Sequence, residues 1–296
     1  MREFNGTDFK IQEYDFATGY SHKDEMLCNG KLRKYVIKSG VDNIDVKIIK
    51  TGRSESRDYR DSFGIEPLIE CIVYELGHAL NMNIAKQELG VARINLRDGT
   101  SETLINISDS FVPYGKDLVE IGTYNGTLND SRERIVKLED LESIVGIENL
   151  RDMLILDFLT LNEDRHNHNI ALLVDSRTKE VELAPIYDNG FSLLYDDSNR
   201  IDKFKDCSRN AVCNAPLYNG VFSNLERLVK KYSAGRCINE INVEDIVNKY
   251  RHRYNLIKLN HRLNNIELTD KWFDCIIEFL KWRIELYESL QNNAYE

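Results

Sequence analysis

The sequence predicts an α+β fold in two parts, a strand-rich first part over residues 1–110 and a mainly helical second part over 111–296. Three observations carry this. Short alternating runs punctuated by Gly, Asn and Asp fill the first 110 residues, with one amphipathic stretch among them. From residue 132 onward apolar residues recur mostly at helical spacing. Between those helices lie a polar loop, "NEDRHNHN", and a hairpin pattern that leads to "YDNG".

In chain order, "FKIQEY" alternates and reads as a strand, and "FATGYSHKDEML" follows as a polar loop with Gly19 near its start. Asn29-Gly30 is a turn signal that leads into a strand ending near Lys38. "NIDVKIIKTG" reads as another strand and "RSESRDYRDSFG" as a charged loop. The first helix opens at "EP", since Pro67 suits a first turn, and Leu68, Ile72, Leu76 and Leu80 form its apolar face. "GVARINLRDGTSETLINISD" gives two strands joined at Asp98-Gly99, and "SFVPYGKDLVEIGTYNGTLNDSRE" reads as a crossover between the two parts. Helices are expected over 132–146, 149–161, 222–233, 242–262 and 269–290. In the second of these Leu150, Leu154, Phe158 and Leu161 face inward; in the last, Trp272, Ile276, Phe279 and Ile284 do. "IALLVD" and "KEVELAP" flank a turn at Ser176–Lys179 and form a hairpin.

Bulk properties narrow the function classes. The 296 residues are 42% hydrophobic and 30% charged, a globular balance, and carry a formal net charge of −10. An acidic surface repels the nucleic-acid backbone, which disfavours such a partner. The basic clusters "GKLRKYVIK" and "NKYRHRYNLIK" are interleaved with apolar residues and read as a strand and a helix. Six cysteines, none in CxxC spacing, suit a reduced compartment better than a zinc knuckle or a disulfide framework. "MREFNGTDFK" has no apolar core of the signal-peptide kind, and no apolar run reaches membrane-spanning length. A cytoplasmic location is the expectation.

The chemistry sits in Asp164, Asn169 and Asp188. The first two share one short loop, and the hairpin carries the chain away from Asn169 and back to Asp188. One carboxylate that orients a hydroxyl, with an amide and a second carboxylate that hold magnesium, is a phosphoryl-transfer set. Asp and Asn also favour turns, so loop capping is the competing account of the same residues. His166 lies two residues past Asp164, placed to donate a hydrogen bond to a transferring phosphoryl group or to order the loop. His166 and His168 form an H-x-H pair that would need a distant third ligand to bind zinc. Arg165 is read as solvated and His168 as structural.

These residues resemble the HipA-type serine/threonine kinases and their compact relatives. The family's D-x-H-x-x-N pattern is matched by Asp164, His166 and Asn169, and its later Asp, after a strand and a proline, by Asp188 in "LAPIYDNG". The resemblance implies a bilobal protein-kinase-like and phosphoinositide-kinase-like fold that uses ATP and Mg2+. Asp164 would be the catalytic base, and Asn169 and Asp188 the metal ligands. It further implies a phosphate-covering loop in "TGYSHKDEM", with Gly19, Ser21 and Lys23. An ATP-binding lysine, Lys38 with Lys34 as rival, would pair with a helix glutamate, Glu70 with Glu75 as rival. Ser21 corresponds to a serine that some relatives autophosphorylate, and phosphate there would oppose ATP. The resemblance spans roughly residues 15–195. No extra amino-terminal subdomain is expected ahead of the phosphate loop, which leaves open an antitoxin or regulatory partner and the identity of the protein substrate. Transfer to a small molecule or lipid, a non-catalytic binding role and a metal-dependent phosphohydrolase are the alternatives.

Overall fold

The computed structural model describes residues 11–16, 34–39, 45–53, 63–96, 99–123, 138–194, 222–232, 236–238, 241–265 and 267–292. The chain forms two compact units. The first comprises Met1–Cys71, Lys86–Ser110 and Lys249–Glu267; the second comprises Ile72–Ala85, Phe111–Asn248 and Leu268–Glu296. This is an α+β fold with a strand-rich unit and a mainly helical unit. Among the described residues no helix is long and apolar enough to cross a membrane.

The first unit is built on a five-stranded sheet. Its strands are β1 (Gln12–Asp15), β2 (Lys34–Ser39), β3 (Asp45–Thr51), β4 (Glu88–Leu96) and β5 (Gly99–Asp109), in the spatial order β1-β4-β5-β3-β2. β1 runs parallel to β4 and the other pairs are antiparallel. Alternation divides the side chains between the two faces. Ile49, Ala92, Ile94, Ile105 and Ile107 cluster with Phe16 and Phe63, and Tyr14, Tyr35 and Ile37 pack on the cluster. The Phe16 and Tyr35 rings stack with centroids 4.0 Å apart. Since Ile49 faces this core, Lys50 projects from the opposite face.

Helix α1 (Glu66–Ala79) starts in this unit. Pro67 occupies its first turn, where a missing N–H costs no helical hydrogen bond. Leu68, Ile72, Leu76 and Leu80 are all buried.

A late segment completes the first sheet. β3 pairs with β5 from Ile105 to Asp109, and residues 263–265 meet the preceding stretch of β5. The backbone N–H of Asn264 donates to Glu102 O at 2.8 Å, and that of Phe63 to Asn264 O at 2.7 Å. Asn265 Oδ1 accepts from Leu104 N–H at 2.9 Å and from Thr103 Oγ1 at 3.1 Å, while its Nδ2 donates to Gly64 O at 2.9 Å. One amide thus satisfies backbone groups of two distant segments.

The second unit holds α2 (Leu138–Val145), α3 (Ile147–Thr160), α4 (Phe222–Tyr232) and α6 (Asp270–Asn292). α5 (Val243–Asn260) begins in this unit and ends in the first. It also holds a three-stranded sheet of β6 (Lys116–Glu120), β7 (Ala171–Asp175) and β8 (Val181–Leu183), in that order and antiparallel. β6 corrects the sequence expectation, which gave 110–133 to a crossover. The strand is short, and of its five residues Leu118 and Val119 alone are apolar, with no alternation to betray it. It exists because β7 offers it a backbone ladder from Ala171 to Asp175. The β7–β8 turn follows from its chemistry: Asp175 Oδ1 accepts from the N–H of Arg177 and of Thr178, at 2.8 and 2.7 Å.

Replacing Asn265 with Ala should lower stability by about 1–3 kcal/mol, because the Leu104 N–H and Gly64 C=O lose their partner. Urea denaturation of the two proteins checks this, and an unchanged midpoint would mean the segment does not fasten the sheet.

Candidate active site

α3 is buried on nearly every side, and how it ends determines the loop that follows. Its last carbonyls lack helical partners and are met individually. Leu161 takes the left-handed conformation, φ 52°, and its N–H and that of Asn162 both turn back to Asp157 O. Phe158 O accepts from the guanidinium of Arg283, which also lies 3.8 Å from the Phe158 ring centroid. Thr160 O accepts from Leu193 N–H at 2.8 Å.

In the apolar second half of this helix stands one carboxylate, Asp157, which is fully buried. Its partner is Arg165, also at 0% exposure. Arg165 Nε donates to Asp157 Oδ2 at 3.0 Å and Nη2 to Oδ1 at 2.9 Å, a two-pronged pair. Nη2 also donates to Asn189 Oδ1 at 2.6 Å, and Nη1 donates to Asn169 O at 3.0 Å and to Tyr187 O at 2.8 Å. These bonds engage all the N–H groups a guanidinium has. The expectation of a solvated Arg165 is therefore overturned. A buried guanidinium is tolerable when every donor is paired, and here the acceptors belong to α3, to the loop after it and to the segment after β8.

That arrangement positions the candidate residues. Asn162 Nδ2 donates to Asp157 Oδ1, and Asn162 Oδ1 accepts from Asp164 N–H at 3.0 Å. Asp164 O accepts from Asn169 Nδ2 at 2.8 Å. A carbonyl can only accept, so the Asn169 amide must turn its nitrogen to Asp164 and leave Oδ1 for another donor or a cation. Arg165 grips the chain on both sides of Asp188, through Tyr187 O and Asn189 Oδ1. Asp188 itself has φ 58°, the left-handed region that Asp tolerates better than most residues.

The two histidines differ in role. His166 Nδ1 accepts from His168 N–H at 3.2 Å, which puts the proton of a neutral ring on Nε2. His166 Nε2 lies 3.8 Å from Asp164 Oδ2. His168 is exposed, and its Nδ1 lies 2.7 Å from Glu120 Oε2 at the end of β6. Ile121 and Gly122 N–H groups donate to Ile170 O and Asn167 O, so the end of β6 clasps the loop. Tyr187 Oη donates to His168 O at 3.0 Å. Burial, together with Glu120 and Asp188, holds the Tyr187 phenol far above its ordinary range, so it stays a donor. Among the described residues, no group of three or more His, Cys, Asp or Glu is gathered to hold a metal ion.

In the first unit Glu70 is buried on α1, and the lysine beside it is Lys50, with Nζ 4.0 Å from Glu70 Oε1. This replaces the expected Lys38–Glu70 pair. Lys38 lies on the same face of the sheet but opposite Val46, four residues along from the Lys50 register and exposed. That offset is about 13 Å along a strand. Glu75 is half-buried further along α1. Gly19, Ser21 and Lys23 lie outside the described residues.

Sequence reasoning missed Asp157, Arg165, Asn189 and Lys50. Asp157 had a signal: a lone acid in "MLILDFLTL" has no solvent-facing stripe to sit on and calls for a buried cation. Lys50 had one as well, since the partner of a buried helix acid comes from a strand with apolar neighbours, and "KIIK" supplies them.

No family model matches the chain. A serine/threonine-protein kinase of Helicobacter pylori strain J99, CtkA, is 41% identical over 68 residues, a stretch that spans 23% of this chain and 21% of that kinase. The crystal structure of a Helicobacter pylori proinflammatory kinase CtkA superposes with TM-score 0.65 at 15% identity, over 97% of this chain and 99% of the other. That likeness assigns the fold. The HipA toxin of Shewanella oneidensis, solved with HipB and operator DNA, aligns with TM-score 0.42 at 14% identity over 91% of this chain and 66% of its own, too distant to bear on function.

Arg165→Met should cost about 3–5 kcal/mol, because it strands the Asp157 carboxylate in an apolar helix. The double variant Asp157→Leu/Arg165→Met should recover most of that loss in thermal or chemical denaturation. A single variant as stable as the wild type would refute the central role of the ion pair.

Proposed function

We propose that this protein is a kinase of the HipA-like type that transfers the γ-phosphate of ATP to a serine or threonine hydroxyl of a protein substrate. The observation that carries the reading is the hydrogen bond from Asn169 Nδ2 to the Asp164 backbone carbonyl, which ties the two residues together in one loop and leaves the Asn169 amide oxygen for another donor or a cation. The kinase-like fold and the local match to a serine/threonine kinase support it.

In this reaction Asp164 orients the acceptor hydroxyl and takes its proton as oxygen attacks the γ-phosphorus and the β–γ bridging bond breaks. His166, with its proton on Nε2, donates toward the Asp164 carboxylate or the transferring phosphoryl group. Asn169 Oδ1 and the Asp188 carboxylate are the residues that would hold Mg2+. The set suits that ion, which takes one or two protein oxygens and completes its shell with phosphate and water. Bound there, magnesium supplies charge neutralisation to the phosphates. Within the first unit, Lys50 beside Glu70 is the candidate lysine for phosphate oxygens. Ser21 is the candidate for autophosphorylation.

Incubation with γ-labelled ATP and Mg2+ tests the reading. Wild type should label itself or a generic protein substrate. Asp164→Asn should bind MgATP yet lose transfer by about 100-fold or more, whereas Asp188→Asn should lose MgATP binding as well. Undiminished transfer by Asp164→Asn, or equal loss of nucleotide from both variants, would overturn this division of roles. Mass spectrometry that finds no phosphate on Ser21 after incubation would remove the autophosphorylation proposal.

A further inference from the structure

We propose that the turn end of the β4–β5 hairpin is a docking cleft for an acidic peptide segment in extended conformation. It lies wholly within the first unit and stands apart from the residues of phosphate transfer. Thr100, at its centre, is six residues along β5 from Asn106, the cross-strand partner of Lys50, and so about 20 Å away.

Arg93, Thr100, Ser101, Glu102 and Arg262 line a cleft of about 530 Å3, within the size range of ligand sites. One wall is a stretch of sheet edge. The carbonyl of Glu102 accepts from Asn264 N–H at 2.8 Å, so Glu102 turns its backbone groups toward that edge. Alternate residues of a strand turn the same way, and Thr100 therefore presents its own N–H and C=O there. β3 joins β5 only from Ile105 onward, and the late segment joins it at Glu102. Among the described residues no strand covers Thr100, and an uncovered edge is a template for an added strand.

The second property of the cleft is charge. Arg262 N–H donates to Glu102 Oε2 at 2.8 Å, which anchors the base of the arginine side chain. Its exposed guanidinium makes no hydrogen bond or ion pair with a described residue. Glu102 is engaged by that backbone N–H and by His261, whose Nδ1 lies 3.7 Å from Oε1. Arg93 makes two long contacts, from Nη2 to Thr100 Oγ1 at 3.4 Å and from Nη1 to Asp15 Oδ2 at 3.9 Å. The chain has a net charge of −10, and its surface cations Lys47, Lys116 and Lys281 each sit beside an acid. Arg262 is held in place without one. A guanidinium forks to a carboxylate through two parallel bonds. An extended peptide laid on the edge puts alternate side chains on one face. Acidic residues at alternate positions then meet the arginines while the peptide backbone pairs with Thr100.

NMR titration of the isotope-labelled protein tests this. A blocked peptide alternating Glu and Val should shift the amide signals of Thr100, Ser101 and Arg262. The same peptide with Gln in place of Glu should bind about fivefold or more weakly. Arg262→Met should lose affinity for the acidic peptide by a similar factor, with Arg262→Gln as a second variant, whereas Lys47→Met should bind as wild type does. Signals that stay unmoved at millimolar acidic peptide, or wild-type affinity in both Arg262 variants, would overturn the docking role. So would equal shifts from free glutamate, which would mark a carboxylate site without strand pairing. None of these results bears on the transfer of phosphate from ATP, which the labelling experiment reads separately.

Discussion

The guanidinium of Arg165 is the constraint on which the second unit's site depends. It sits where no water reaches, against a carboxylate that is equally enclosed. Each ion makes the other affordable, yet Asp157 alone would leave three of the five donors unmet. Those donors are satisfied by Asn169 O, Tyr187 O and Asn189 Oδ1. The chain that carries Asn169 and the chain that carries Asp188 are therefore held to one planar group. Displacing either segment would leave buried donors bare, so the repulsion of low dielectric for unpaired charge does the aligning.

Such a frame explains why the local conformations can be unusual. Asp188 and Leu161 both take left-handed backbone angles, which cost roughly 1–3 kcal/mol each outside glycine. In each case the neighbours are fixed by bonds that a relaxed backbone would break: Arg165 on both flanks of Asp188, and Asp157 O behind Leu161. The result is preorganisation, since groups held before a ligand arrives need not be reoriented when charge develops. The first unit follows the same logic more simply. Glu70 is buried and Lys50 comes to it, from a strand whose other face is sealed by the aromatic and aliphatic core.

What could be read from the sequence followed the range over which each interaction acts. Helical spacing exposed the buried face of α1, with Leu68, Ile72, Leu76 and Leu80, because those contacts recur every turn. Turn chemistry exposed the β7–β8 hairpin, since Asp175 bonds its own neighbours. β6 was hidden because its pairing is with a strand more than fifty residues later and its own residues carry no alternation. Lys38 and Lys50 could not be told apart by composition, since the choice depends on which of two strands, four residues out of register, runs beside Glu70. Arg165 was misjudged because a charge in a polar loop looks solvated until the buried acid of α3, Asp157, is counted as its partner. The resemblance to HipA-type kinases pointed to Asp164, Asn169 and Asp188 but was silent on what holds them.

The stitch made by residues 263–265 has a consequence for how the molecule is made. The first sheet takes its last ladder partners, and the bonds that satisfy Leu104 and Gly64, from a segment near the far end of the chain. During synthesis the strands of that sheet leave the ribosome early, and β5 then has an open flank for the time it takes to translate some 150 further residues. An unpaired stretch of β5 is a surface on which nascent chains can pair wrongly. Glu102 within that stretch, and Arg93 opposite it on β4, put charge where such pairing would start.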